Sequence, residues 1–119
     1  MKKLCCFLSI ILFLTVSCSD NNTSHQNIQP DKIYFFYADT CPHCHDADAY
    51  IKENHPDLKI IKINVAEKSG FELFVKCARR FNLGQNIGTP LFCMGNNYIM
   101  GWAPHYAKRF DRYAKPFKK

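Results

Sequence analysis

Short continuous apolar runs alternate along the chain with segments in which apolar residues recur every three or four positions. This pattern is typical of a domain that mixes strands and helices. Residues 33–37 are apolar and aromatic and predict a strand buried on both faces, and residues 58–65, rich in Ile and Val, predict another. Pro42 suits a first helical turn and predicts a helix over residues 41–54. A further amphipathic helix is predicted by apolar residues at spacings of three and four, whose phenylalanines we expect in the core: Phe71, Phe74, Ala78 and Phe81.

The last third of the chain predicts a hairpin followed by a helix. Residues 91–94 and 98–100 form short apolar strands around Gly95-Asn96-Asn97, a typical hairpin turn. A final amphipathic helix, ended by Pro116, is predicted by Tyr106, Phe110 and Tyr113. The order β-α-β-α-β-β-α predicts an α/β fold with a four-stranded mixed sheet and helices on both faces. The first three strands are connected through helices, so we expect them to pair in parallel, with the hairpin as an antiparallel edge.

The N-terminus has the features of an export signal. Two lysines precede an apolar run over residues 4–16, which is short for a membrane-spanning helix of roughly 17–25 residues. The following Ser17-Cys18 resembles the lipobox of bacterial lipoproteins, in which the cysteine carries the lipid after cleavage. This predicts a signal peptide over 1–17, a lipidated Cys18 with a polar tether over 18–31, and a domain over 32–119. Cleavage without a lipid and an uncleaved anchor are the alternatives.

Length and charge exclude several classes of protein. With 119 residues, the chain has room for one small domain and not for a multi-domain enzyme. The formal charge is +6, but most lysines and arginines are scattered, so nucleic-acid binding is not expected. The expected location is the bacterial cell envelope or periplasm, with membrane contact through the N-terminal lipid. Disulfides persist in such an oxidising compartment.

The candidate chemistry lies in Cys41-Pro42-His43-Cys44, directly after the first predicted strand. A cysteine at a helix start is stabilised as a thiolate by the helix dipole and by free N–H groups. We therefore expect Cys41 to be the attacking thiolate and Cys44 the resolving thiol, with His43 and Pro42 tuning the thiolate. A structural zinc site needs a second close ligand pair, which this sequence lacks. The alternative is a module that binds a soft metal ion, copper or zinc, through Cys41, His43, Cys44 and His45.

The redox motif and the downstream Thr89-Pro90 together resemble the thioredoxin superfamily. Cys-Pro-His-Cys is similar to the DsbA-type oxidases, the compact size to glutaredoxins, and the Gly-Thr-Pro and Gly-Trp-Ala-Pro segments to the DsbC-type catalytic domain. The resemblance implies a thioredoxin-like fold and thiol–disulfide exchange with protein substrates, without an organic cofactor or metal. It also implies a redox partner that recycles the cysteine pair. Pro90 would be cis and face the cysteines, the Thr89 backbone would bind an extended substrate, and Trp102 would wall the substrate groove.

Two further features leave alternatives open. Cys77 and Cys93 are expected to pack as small buried hydrophobes, with a disulfide between them as the alternative in an exported protein. Met100 stands where glutaredoxins carry the first glycine of a glutathione-binding pair, so the sequence does not predict glutathione use. Oxidase, isomerase and reductase activities share the same site residues, and the sequence leaves the direction of electron flow open.

Overall fold

The computed structural model describes residues 27–119. The predicted signal peptide, Cys18 and most of the predicted tether lie outside the described residues. The elements in chain order are β1 (Ile33–Tyr37), α1 (Pro42–Asn54), β2 (Ile60–Asn64), α2 (Lys68–Arg80), β3 (Leu91–Met94), β4 (Asn97–Met100), α3 (Pro104–Ala114) and a 3₁₀ turn (Lys115–Phe117). Each helix in residues 27–119 is too short or too polar to span a lipid bilayer.

The four strands form one mixed sheet in the order β2-β1-β3-β4, which confirms the predicted architecture. β1 pairs with β2 in parallel, but β3 is antiparallel to β1 and β4 is antiparallel to β3. The expectation that the first three strands are all parallel was therefore wrong. The reason lies in residues 81–90, which follow α2 and carry the chain back along the sheet. As a result, β3 starts with Leu91 opposite Phe36, near the carboxyl end of β1.

One face of the sheet is covered by α1 and α3. Their buried residues pack with an aromatic cluster in which the Phe35 and Phe92 rings stack at 4.6 Å between centroids. The Phe110 ring of α3 meets Phe92 edge-on at 5.2 Å. Aromatic pairs in these geometries add to the hydrophobic stabilisation from burial. This core fixes the start of α1, and with it Cys44 and Ala47, against the sheet.

The other face is covered by α2, whose orientation corrects one expectation. Gly70 faces the sheet so closely that a Cβ on it would overlap the backbone carbonyl of Asn64. With Gly70 inward, the buried stripe continues through Leu73, Phe74, Cys77 and Ala78. Phe71 is turned about 100° away, as the helical repeat requires, and is 51% exposed, so the prediction of a core position was wrong for this phenylalanine. Phe74 is buried as predicted.

A disulfide joins α2 to the sheet. Cys77 and Cys93 are bonded with a Cα–Cα distance of 6.3 Å, and both side chains are buried. The favoured expectation of two separate buried thiols was therefore wrong, and the alternative was right. The sequence could not show this, because the helix position and the strand position meet only when α2 packs on the sheet.

Candidate functional site

The cysteine pair lies where β1 ends and α1 begins. Cys41 is the N-cap residue of α1, and Cys44 lies in its first turn. The two are joined by a disulfide with a Cα–Cα distance of 5.2 Å. Cys41 is partly exposed, whereas Cys44 is only 3% exposed and packs into the core with Ala47. A molecule that approaches from solvent therefore reaches the sulfur of Cys41 before that of Cys44.

The start of α1 is arranged to stabilise negative charge on Cys41. The Cys44 backbone N–H donates a hydrogen bond to the Cys41 sulfur at 3.1 Å. The first turn of α1 contains no acidic residue that would oppose a thiolate there. Backbone N–H groups and the positive end of the helix dipole lower the pKa of a thiol in this position. The prediction that Cys41 is the attacking thiolate therefore has a physical basis in this arrangement, and it stays a prediction.

The two histidines beside the cysteines differ in their contacts. The ring Nε2 of His45 lies 2.9 Å from the backbone carbonyl of Asp39. Since a carbonyl only accepts, this nitrogen carries a proton and donates, which fixes the ring to the loop before α1. His43 is exposed and makes no hydrogen bond or ion pair with another described residue. Its predicted effect on the Cys41 thiolate, like that of Pro42, stays a prediction.

Thr89 and Pro90 come to the same edge of the sheet as the cysteines. The peptide bond between them is cis, and Pro90 is buried directly before β3. Its carbonyl accepts a hydrogen bond from the Gly101 N–H at 2.8 Å. Within the described part of the chain, the partly exposed Thr89 forms no backbone hydrogen bond. Its N–H and carbonyl are therefore free to pair with an extended chain, which leaves the predicted docking role open to test.

Trp102, predicted to line the substrate groove, lies mainly in the core. The indole is 9% exposed and packs against the rings of Tyr50, Phe92 and Phe110 at centroid distances of 5.5, 5.9 and 6.1 Å. Most of its surface thus stabilises the α1 and α3 face of the sheet. A substrate role for Trp102 stays a prediction that involves only the small exposed part of the ring.

An ion-pair cluster around Asp48, one helical turn after Cys44, was missed by sequence reasoning. The Asp48 carboxylate contacts Lys52 at 2.7 Å and Lys62 of β2 at 3.0 Å. The Lys62 ammonium also lies 5.2 Å from the centre of the Tyr37 ring. Burial of Asp48 opposes its ionisation, but hydrogen bonds and charge from the two lysines outweigh it, so its pKa is lowered below 3.8. The i,i+4 spacing to Lys52 was visible in the sequence, whereas the pairing with β2 was not.

A buried polar cluster between α1 and α3 was also missed. Asp111 accepts hydrogen bonds from the Tyr50 hydroxyl at 2.9 Å and lies 2.6 Å from Nε2 of the buried His55. Burial, followed by the bond to Asp111, raises the pKa of Tyr50 above 10.0. His55 and Asp111 are 56 positions apart, so no local sequence signal links them. The cluster ties the end of α1 to α3, at a distance from the cysteines.

The alternative of a metal site gains no support from the geometry. Among residues 27–119, no group of three or more His, Cys, Asp or Glu side chains is arranged to hold a metal ion. Of the four ligands considered, His45 is bonded to the Asp39 carbonyl, and Cys41 and Cys44 are bonded to each other.

Comparison with known proteins identifies the fold. The sequence matches no protein-family model and no curated protein. Among solved structures, it is similar to buckwheat glutaredoxin in complex with glutathione, at 17% identity and a TM-score of 0.50. The likeness covers 71% of this chain and 74% of that one. The four-stranded mixed sheet with three helices thus has the glutaredoxin-like form of the thioredoxin fold, as predicted.

Proposed function

We propose that the protein is a thiol–disulfide oxidoreductase that exchanges disulfides with protein substrates through Cys41 and Cys44. The observation that carries the proposal is the asymmetry of the pair: a partly exposed Cys41 at the N-cap of α1, disulfide-bonded to a buried Cys44 in the first turn. This arrangement provides one sulfur that can meet a substrate and one that can react only within the protein. The glutaredoxin-like fold supports the same chemistry.

The exchange proceeds in two balanced steps. In the reducing direction, the Cys41 thiolate attacks one sulfur of a substrate disulfide, forming a mixed disulfide and releasing one substrate thiolate. The Cys44 thiolate then attacks the Cys41 sulfur, which forms the Cys41–Cys44 disulfide and releases the second substrate thiolate. Two electrons pass to the substrate, and a redox partner must restore the dithiol. The oxidising direction is the same sequence in reverse.

Substrate binding is assigned to the edge next to the pair. The unbonded backbone of Thr89 offers an N–H and a carbonyl to an extended substrate segment, beside the buried Pro90. Backbone pairing of this kind accepts many sequences, because it uses groups that every residue carries. Such a site suits an enzyme that acts on various protein thiols.

The proposed location is the bacterial cell envelope, with the chain held at a membrane by a lipid on Cys18. The support is the sequence Ser17-Cys18 after a short apolar run that follows two lysines. The buried Cys77–Cys93 disulfide is consistent with an oxidising compartment, since stable disulfides are rare in the cytosol.

Trapping of mixed disulfides tests the proposal with a matched pair of variants. In Cys44→Ser, a substrate disulfide attacked by Cys41 cannot be released, so the mixed disulfide accumulates on a non-reducing gel. In Cys41→Ser, the remaining thiol is 3% exposed in the native fold, and little adduct is expected. Mass spectrometry of the adduct identifies the attached sulfur. Equal trapping by both variants, or by neither, would contradict the assigned roles.

A further inference from the structure

Cations that are scattered along the sequence are gathered by the fold at one end of the domain. We call this the basic end, and define it by eight exposed residues that lie where β1 begins or near the ends of α2 and α3: Lys32, Lys59, Arg79, Arg80, Arg112, Lys115, Lys118 and Lys119. The register places Ile60 beside Ile33, which brings Lys59 next to the start of β1. An Arg80 guanidinium nitrogen lies 3.5 Å from the Ile28 carbonyl, which brings the end of α2 to the same place.

The charge of the basic end is not neutralised within the described residues. None of the eight cations forms a salt bridge with another residue in 27–119. Four carboxylates, Asp31, Glu53, Asp57 and Asp111, lie at or near this end, and the eight cations leave it with an excess of positive charge. An unpaired cluster of lysines and arginines attracts a negatively charged partner over distances of about a Debye length, roughly 8–10 Å.

The chain enters the described domain at this same end. Around the Gly95 turn, the Pro30 carbonyl and the Phe117 ring lie so close that a Cβ on Gly95 would contact both, at 3.1 and 3.3 Å. The residues after 26 therefore run beside the 3₁₀ turn that precedes Lys118. The 26 residues before them, which include the apolar run and Cys18, attach to the domain next to its basic end.

A cleft at the basic end combines cations with apolar walls. It has a volume of about 940 Å³ and lies between the loop after α1 and the last residues of the chain. Its lining includes four lysines, Lys32, Lys59, Lys118 and Lys119. The apolar residues of the lining include Leu58, Ile60 and Phe117. Positive groups next to apolar surface are typical of proteins that rest on lipid headgroups.

The cysteine pair lies at the opposite end. β1 runs from the basic end towards Cys41, and its five residues advance about 3.3 Å each, so the pair is well over 10 Å from the start of the strand. α1 and α2 run back from the cysteine edge towards the basic end. The surface around the cysteine pair and the basic end are therefore separated by the length of these helices.

From these observations we infer that the basic end docks on an anionic lipid bilayer and holds Cys41 and Cys44 on the side facing away from it. The inference rests on the membrane attachment proposed above for the N-terminal segment. A tether alone leaves the domain free to rotate, whereas each lysine or arginine at an anionic surface strengthens docking about five-fold. The docked orientation exposes the cysteines to proteins that arrive from the aqueous side.

Lysine labelling of the full chain tests this orientation. The chain is incubated with vesicles of phosphatidylcholine, or of phosphatidylcholine mixed with phosphatidylglycerol, and exposed lysines are acylated and quantified by mass spectrometry. We expect labelling of Lys115, Lys118 and Lys119 to fall about five-fold or more on the anionic vesicles. Labelling of the exposed Lys68, which begins α2 at the cysteine edge, stays unchanged. High salt removes the difference, because screening weakens exposed charges.

Charge-reversal variants provide the matched control. In K115E/K118E/K119E, anionic vesicles no longer protect Lys32 and Lys59 from acylation, whereas in K68E they still do. The inference is overturned if Lys115, Lys118 and Lys119 are labelled equally on neutral and anionic vesicles. It is also overturned if anionic vesicles protect Lys68 as strongly as they protect these three lysines. Protection by single-stranded RNA without protection by vesicles assigns the basic end to nucleic acid instead.

The labelling result is independent of the proposed redox function. If the protein, purified from bacterial membranes with its N-terminal modification intact, fails to sediment with neutral vesicles, the N-terminal attachment is wrong, while labelling on anionic vesicles still tests the basic end. If Cys44→Ser traps no substrate, the exchange mechanism is wrong, whatever the lysines show.

Discussion

Removal of the buried Cys77–Cys93 disulfide is expected to destabilise the protein strongly without altering the chemistry of Cys41. In Cys77→Ala/Cys93→Ala, the covalent link between α2 and β3 is lost. The bond lies on the face of the sheet covered by α2, whereas the Cys41–Cys44 pair packs with the face covered by α1 and α3. We therefore expect the variant to retain exchange at Cys41 at temperatures where it is folded.

The magnitude follows from the sequence separation of the bonded residues. The bond closes a loop across 16 positions, for which the chain-entropy relation gives about 3 kcal/mol at 25 °C. For the Cys41–Cys44 bond, with a separation of 3, the same relation gives about 1.6 kcal/mol. Domains of this kind have a total stability of about 5–15 kcal/mol, so the loss is a large fraction of it. The expected fall in melting temperature is about 12–24 °C.

Urea unfolding is the assay, followed by circular dichroism and by the fluorescence of Trp102, the single tryptophan. Cys41→Ala/Cys44→Ala serves as the matched control, with the smaller expected loss. Alkylation in urea without reductant counts the free thiols of the unmutated protein. We expect Cys77 and Cys93 to escape alkylation, because the disulfide between them blocks both sulfurs. A double variant within 1 kcal/mol of a parent whose Cys77–Cys93 bond is intact refutes the reasoning that this bond holds α2 to the sheet.

Three further outcomes are expected. Asp48→Asn lowers the free energy of unfolding by about 1 kcal/mol at neutral pH. Because the pKa of Asp48 is lowered in the folded state, this difference is present above pH 3.8 and disappears as the pH falls through the folded pKa, which urea midpoints at acidic and neutral pH can check. His43→Ala makes the reduction potential of the cysteine pair about 30 mV more negative, because it destabilises the reduced form, whereas His45→Ala changes it less; an unchanged potential in both variants removes the tuning role. As the pH rises above about 10, the free energy of unfolding falls less for Tyr50→Phe than for the parent, because the raised pKa of Tyr50 contributes stability to the parent that is lost as the pH rises through that pKa. Equal loss of stability in the two proteins at alkaline pH would count against this.

The parts of the structure that the sequence predicted correctly depend on local signals. Pro42 marks the first turn of α1, and the hairpin turn lies within the predicted Gly95-Asn96-Asn97, with positive φ at the glycine. The turn itself is Gly95-Asn96, so β4 begins at Asn97, one residue earlier than predicted. The cysteine spacing predicts a pair at a helix start because all four residues of the motif lie within one turn. Such features need only a few neighbouring residues to be recognised.

The direction of β3 was predicted wrongly although the evidence was in the sequence. The expected position of Pro90 beside the cysteines requires β3 to begin where β1 ends, which makes the two strands antiparallel. The assumption that a helix between two strands always returns the chain for parallel pairing outweighed this signal. Residues 81–90 instead span the sheet from the end of α2 back to the cysteine edge.

Other features could not be predicted because they arise from contacts distant in sequence. Helical periodicity alone made Phe71 and Phe74 equivalent, and only the close packing of Gly70 on Asn64 turns Phe71 outward. The Asp111 and His55 contact and the gathering of cations at the basic end likewise depend on the order in which elements pack.

The reduction potential of the Cys41–Cys44 pair is the most direct test of the central claim. The protein is equilibrated in glutathione redox buffers, free thiols are alkylated, and the two cysteines are quantified by mass spectrometry. The account predicts that Cys41 and Cys44 titrate together in one two-electron transition, while the buried Cys77 and Cys93 stay bonded. A potential near −120 mV identifies a donor of disulfides, and one near −270 mV a reductant. Two cysteines that titrate independently, or not at all, would contradict a role in thiol–disulfide exchange.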